Sequence, residues 1–192
     1  MVIPLKTLIK NFEASTLSEL LASFSCSIDA DIEVFLQRRA IDFENLSKSR
    51  TYLIFDSDEL ESGVDYLHIY GYVSLALKVL SVPPYVSNNF RKELYGFNSK
   101  IHGREISDFP CYLIGQLAKN SNISVNPITG KKLINIACDI IASAADAVGG
   151  RYMMVECRNK EKLLAFYENN SFKLVDRIPD ADDAMVQMIR KI

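Results

Sequence analysis

Apolar residues recur along the chain first at helical spacing and then in alternation. Thr16-Leu-Ser-Glu19 has the form of a capping box, and Leu17, Leu20, Leu21 and Phe24 follow on one helical face. A second amphipathic segment opens after Asp29 and Asp31, with Ile32, Phe35, Leu36 and Ala40 on one side and Arg38 and Arg39 toward its end. Thr51 to Phe55 predicts a short strand, stopped by the acidic turn from Asp56 to Gly63. Tyr66 to Leu80 then alternates, which predicts a long hairpin partner for it. Leu67, Ile69, Val73, Leu75, Leu77 and Val79 share the face expected to cover the core. Tyr66, His68, Tyr70, Tyr72, Ser74 and Lys78 share the other.

Beyond Pro83-Pro84, residues 85 to 109 are polar and loop-rich, with Ser87 placed to cap a short helix through Tyr95. Cys111 to Lys119 predicts a strand, residues 120 to 129 a polar loop, and Gly130 the start of a long helix. In that helix Leu133, Ile136, Ala137, Ile140, Ile141, Ala144 and Val148 keep helical spacing until Gly149-Gly150. A strand over Tyr152 to Cys157, a helix over 160 to 169, and strands over 172 to 176 and 184 to 190 complete the pattern. A strand-helix-strand unit near the centre implies a right-handed crossover and a parallel pair. The class is α/β (α+β by stricter usage): a mixed, twisted central sheet flanked by helices.

With no repeat or linker, the 192 residues read as one domain, 1–192, large enough for its own core. Hydrophobic residues are 48% and charged residues 24%, ordinary globular usage. The 22 basic and 24 acidic residues nearly cancel, so no broad field points to a nucleic-acid partner. No run approaches the ~20 apolar residues of a membrane span. The cysteines at 26, 111, 138 and 157 are widely spaced, with no metal-ligand pattern. They read as reduced thiols of a cytoplasmic protein.

Two places carry candidate chemistry. The polar loop ahead of Gly130 delivers backbone to a helix N-terminus, where unpaired amides and the helix dipole attract anions. A plain N-cap glycine is the alternative. The polar face of the Tyr66–Leu80 run sets His68, Tyr70 and Tyr72 together, residues that can hydrogen-bond and stack on a ligand. Burying that face would strand polar groups at ~1–3 kcal/mol each, so it is expected to line a cleft, with a solvated sheet face as the alternative.

Gly149-Gly-Arg-Tyr-Met-Met-Val-Glu-Cys157 followed by Leu163-Leu-Ala-Phe-Tyr-Glu-Asn-Asn-Ser-Phe172 resembles the signature of the GNAT N-acetyltransferases, a strand leading into a helix that ends F-Y-E-x-x-G-F. Phe166, Tyr167, Glu168 and Phe172 match it, and Ser171 stands where the family usually has glycine. Leu113 to Lys119, then Thr129-Gly-Lys-Lys-Leu133, resemble the family's coenzyme A strand and pyrophosphate loop. There Val125 and Ile128 replace the Q/R and first glycine of Q/R-x-x-G-x-G/A, and Gly130 keeps the last position.

The resemblance implies acetyl-CoA as cofactor. It implies that Leu117, Ala118 and Lys119 offer backbone to the pantetheine arm, and that Asn126, Ile128, Thr129, Gly130 and Lys131 surround the pyrophosphate. Tyr167 would protonate the leaving thiolate; simple packing at Leu163, Phe166 and Tyr167 is the alternative. No general base stands out, although Glu156 ends a strand beside the expected cleft. The acceptor would be a primary amine of a small molecule or protein, facing His68, Tyr70 and Tyr72, and a homodimer is left open. The rival readings are a GNAT-type toxin acting on aminoacyl-tRNA and a degenerate domain working by protein contact.

Overall fold

Most elements form where the apolar spacing places them, with shifts at their ends. The structure is a computed structural model describing residues 1–56, 67–176 and 184–192. In chain order it runs β1 (Val2–Pro4), α1 (Leu5–Asn11), α2 (Ala14–Ala22), α3 (Ala30–Val34), a π-helical turn (Phe35–Arg39), α4 (Ala40–Asn45), β2 (Arg50–Ile54) and β3 (Gly71–Ser81). It continues with α5 (Asn88–Tyr95), β4 (Lys100–Ile101), β5 (Arg104–Glu105), β6 (Asp108–Lys119), α6 (Gly130–Val148), β7 (Tyr152–Arg158), α7 (Glu161–Glu168), β8 (Lys173–Leu174) and β9 (Met185–Lys191). Seven strands order as β1-β2-β3-β6-β7-β9-β8, and β4 pairs with β5 apart from them. The pairs β1–β2, β2–β3, β7–β9 and β8–β9 are antiparallel; β6–β7, joined through α6, is parallel. The mixed α/β class and the crossover follow the sequence reading. The Asp56–Gly63 turn and Tyr66 fall mostly or wholly outside the described residues.

The chain divides into two compact units, neither continuous in sequence. The first comprises Met1–Ala76 and Gly115–Ala137. Its core gathers Leu5, Leu8, Leu17, Leu21, Phe24, Phe35, Leu36, Leu53 and Tyr72. Helix α2 starts earlier than the capping box suggests: Leu17 N–H bonds Glu13 O at 3.0 Å, so Thr16 lies within the helix rather than at its cap. Asp29 does cap α3, accepting from Asp31 N at 3.0 Å. The π-turn, in which Ala40 N–H reaches Phe35 O, widens the helix by one residue and keeps Phe35, Leu36 and Ala40 all buried. Gly71 allows a close approach in β3, because a Cβ there would stand 2.8 Å from Ala118 O.

The second unit comprises Leu77–Ile114 and Cys138–Ile192, with Leu80, Val82, Leu94, Phe109, Cys111, Tyr152, Met154 and Ile189 in its core. Ser87 Oγ accepts from Phe90 N at 3.3 Å as the cap of α5, and Gly96 ends that helix at φ 100°. Arg91 of α5 is 1% exposed. Its guanidinium donates to Pro83 O (2.5 Å), Ile106 O (2.6 Å) and Val86 O (3.3 Å), tying α5 to the chain on both sides. Among the described residues no helix is long and apolar enough to cross a membrane, and no three His, Cys, Asp or Glu side chains gather as a metal site.

Strand β3 departs from its expected alternation. Gly71 through Leu75 are all buried, whereas Leu77 and Val79, expected in the core, are 76% and 55% exposed. Over Gly71–Leu75 the strand pairs with β2, and its side chains there are covered on both faces.

Candidate active site

In the first unit, the loop after β6 is built by two asparagines. Asn120 is buried; its Nδ2 donates to Ile69 O (2.8 Å), its Oδ1 accepts from Ser25 N (3.2 Å) and Asn122 N (3.0 Å), and its backbone N–H bonds Tyr70 O (3.0 Å). Asn126 Nδ2 donates to Tyr70 O (2.8 Å) and Asn120 O (3.2 Å), and its Oδ1 accepts from Ile128 N (2.9 Å). The Ile128 side chain is buried. Thr129 caps α6: its Oγ1 accepts from Lys132 N at 3.1 Å and its carbonyl from Leu133 N at 3.1 Å. The amides of Gly130 and Lys131, at the head of this 19-residue helix, have no acceptor among the described residues. The side chains of Lys131 and Lys132 are exposed beside them.

The loop residues expected around the pyrophosphate therefore divide. Asn126, Ile128 and Thr129 are engaged in shaping the loop, whereas Gly130 and Lys131 present amides. Val125, in place of the usual Q/R, points its side chain to solvent. Of the strand residues, Leu117 is half-buried, Ala118 buried and Lys119 exposed. The ladder of β6 with β7 covers Tyr112↔Met153, Leu113↔Met154 and Ile114↔Val155, while β6 itself continues to Lys119.

The three expected acceptor residues also separate. His68 is exposed and Tyr70 half-buried, between the buried Leu67 and Ile69. Tyr72 is fully buried, which corrects its expected place on an open face. Its hydroxyl donates to Ile32 O at 2.6 Å, and its ring lies edge-on to Phe24 (5.2 Å) and stacked with Phe35 (6.5 Å). Burial raises its pKa first, and the nearby Cys26 and Asp29 add to that. Ser74 is likewise buried and accepts from Thr51 Oγ1 at 3.2 Å. Neither group is stranded, so burying this part of the face does not carry the expected penalty.

Tyr167 belongs to the second unit. On α7 it is 8% exposed, with Phe166 at 5.1 Å and Phe172 at 5.6 Å between ring centroids. Asn170 N and Phe172 N both bond Tyr167 O at 3.0 Å, and Ser171 turns the chain at φ 68° so that Phe172 returns to the tyrosine ring. The phenol hydroxyl has no hydrogen-bond partner among the described residues. Burial, and then the neighbouring Cys157, push its pKa above the ordinary tyrosine value.

Three thiols and Glu156 in this unit are less suited to chemistry. Burial pushes the thiols of Cys111 and Cys157 up to about 11 and also raises Cys138, keeping all three protonated at neutral pH. Glu156, weighed as a base, is held by Lys78 Nζ at 2.5 Å and Gln187 Nε2 at 2.9 Å. Asn120 went unforeseen, because its partners Ser25 and Ile69 are remote in sequence and nothing in its local pattern marks it.

No protein-family model and no curated protein matches the sequence. Solved structures do. A tyrosine-to-phenylalanine mutant of the AtaT toxin, bound to the C-terminus of the antitoxin AtaR and acetyl-CoA, is 16% identical, covers 89% of this chain and 84% of its own, and has a TM-score of 0.59. A tyrosine-to-phenylalanine mutant of KacT is 17% identical over 97% of this chain and 93% of its own, with a TM-score of 0.64. AtaT complexed with acetyl-methionyl-tRNAfMet is 19% identical over 86% and 85%, with a TM-score of 0.61. At these identities the likeness is one of fold. With F-Y-E on the helix that follows β7, the chain has the GNAT fold of the AtaT and KacT structures.

Proposed function

We propose that this protein is a cytoplasmic N-acetyltransferase, one domain over 1–192, that moves the acetyl group of acetyl-CoA directly to a primary amine. The observation that carries this reading is Tyr167, a phenol on the F-Y-E helix buried to 8% exposure with no hydrogen-bond partner among the described residues. A raised pKa keeps its O–H intact at neutral pH, so it serves as a proton donor rather than a base.

In the reaction the neutral amine attacks the thioester carbonyl carbon. A C–N bond forms, the C–S bond breaks, the amine gives up its proton to solvent, and Tyr167 protonates the departing thiolate and is reprotonated from solvent. The amides of Gly130 and Lys131, with the Lys131 and Lys132 ammonium groups, are suited to hold the pyrophosphate. Backbone of Leu117 to Lys119 is offered to the pantetheine arm as an added strand. His68 and Tyr70, without Tyr72, remain the residues assigned to the acceptor.

The acceptor class has one specific pointer. A structure of this fold is a complex with acetyl-methionyl-tRNAfMet, which supports the α-amine of a charged tRNA over other amines. A formal net charge of -2 gave no reason to expect a nucleic acid, but whole-chain charge does not describe the surface that meets an acceptor.

Transfer from labelled acetyl-CoA to charged tRNA, peptides and polyamines tests the reading. On whichever acceptor is labelled, Tyr167→Phe should lower turnover roughly 100-fold or more at unchanged acetyl-CoA affinity. Wild-type turnover in that variant removes Tyr167 from the chemistry, and no labelled acceptor favours the protein-contact alternative.

A further inference from the structure

We infer that Asn126 is a positioning residue for the phosphate-binding backbone, fixing the loop to the Ile69–Tyr70 main chain without itself touching the cofactor. The inference rests on the acetyl-CoA reading above.

A carboxamide has two N–H donors, and Asn126 spends both inside the protein, on Tyr70 O and Asn120 O. No donor is left for a phosphate oxygen, and its own Oδ1, an acceptor, holds the Ile128 amide at 2.9 Å. That amide is turned away from any anion in turn. The replacement of glycine by isoleucine at 128 fits this arrangement: the side chain is buried, and the amide finds an acceptor within the loop. Hydrogen bonding and packing thus fix the backbone where glycines would leave it free to approach the ligand.

Asn120 makes the second attachment to the same short stretch. Its side chain bonds Ile69 O and its backbone bonds Tyr70 O, while its Oδ1 holds Ser25 N and Asn122 N. Two consecutive carbonyls, of Ile69 and Tyr70, therefore anchor both ends of the turn leading to Thr129 and α6. With the loop fixed, the Gly130 and Lys131 amides are pre-arranged for an anion, and binding need not first order them. The same bonds tie the His68–Tyr70 segment to the loop, so disturbing Asn126 alters the phosphate site and the acceptor residues together.

The test uses the full chain and acetyl-CoA. In Asn126→Ala, calorimetry should show acetyl-CoA affinity weakened on the order of tenfold, with a melting temperature close to wild type. Without ligand, hydrogen exchange should show the Ile128 amide losing protection in Asn126→Ala, because the side-chain oxygen that accepts from it is gone. Asn126→Ser replaces the alanine variant if that one fails to fold. Unchanged or tighter acetyl-CoA binding in Asn126→Ala overturns the inference, as does unchanged exchange at Ile128. If wild-type protein gives no binding heat with acetyl-CoA, the acetyl-CoA reading fails, and exchange at Ile128 still reports on the loop bonds alone.

Discussion

Tyr167 packs its ring against Phe166 and Phe172, and its hydroxyl, which has no hydrogen-bond partner among the described residues, is not enclosed with the ring. Tyr72 is the contrast: fully buried, it has Ile32 O at 2.6 Å. The first tyrosine leaves its hydroxyl unengaged by the described residues; the second engages its own within the core. The F-Y-E motif singles out Tyr167 without testing its role, and the alternation that grouped Tyr72 with His68 and Tyr70 could not reveal a carbonyl supplied by α3. Glu156 shows the same dependence on remote partners. Burial works to raise its pKa, but the hydrogen bonds from Lys78 and Gln187 and the lysine charge outweigh it, so the carboxyl sits below its ordinary value. A carboxyl depressed in this way adds stability that is complete above its unfolded pKa and lost as pH falls through the folded one. Wild type should therefore exceed Glu156→Gln in melting temperature most clearly above about pH 5, and the two should converge under more acid conditions. A difference that persists unchanged into acid would assign the effect to packing instead of charge.

At the scale of elements, helices were read more securely than strands. Leu133, Ala137 and Ile141 of α6 are buried as their spacing predicts, whereas Val148, expected on the same face, is exposed at the helix end. Alternation along β3 misled because it assumes one wet face, whereas Gly71–Leu75 is covered on both and Leu77 and Val79 are exposed farther along. The β4–β5 turn, with His102 at φ 49° and Gly103 at φ 78°, lay within a segment read only as loop. Ser171 is the reverse case, a single departure from a motif whose meaning the backbone supplies. At φ 68° it occupies the left-handed region, where a β-carbon is unfavourable and the family's glycine is not. Ser171→Gly should stabilise the protein by about 1 kcal/mol or somewhat less, since glycine also gives the unfolded chain more freedom. Denaturant unfolding measures it; a loss of stability would mean the serine hydroxyl or β-carbon outweighs the backbone strain.

For the molecule as a whole, a reading of function has to agree with thermodynamics as well as with motif. The fold class and the central parallel crossover were legible because element order constrains topology. The division into two units was not, because each unit draws on two separate stretches of chain and no linker marks a boundary. A ligand that binds the folded chain and not the unfolded one stabilises it by mass action, about 2.7 kcal/mol at one hundred times its dissociation constant. For a chain of 192 residues that corresponds to roughly 5–10 °C in melting temperature. Acetyl-CoA should produce a shift of this size that grows with the logarithm of its concentration. Tyr167→Phe should keep the shift in full, because the phenol is assigned to proton transfer and not to holding the nucleotide. Replacing Gly130 with valine should diminish it, since a β-branched side chain would crowd the approach of a pyrophosphate to the helix amides. A shift absent in wild type at millimolar acetyl-CoA would leave the chain with the fold but without the cofactor. A shift untouched by Gly130→Val would move the phosphates to another part of the surface.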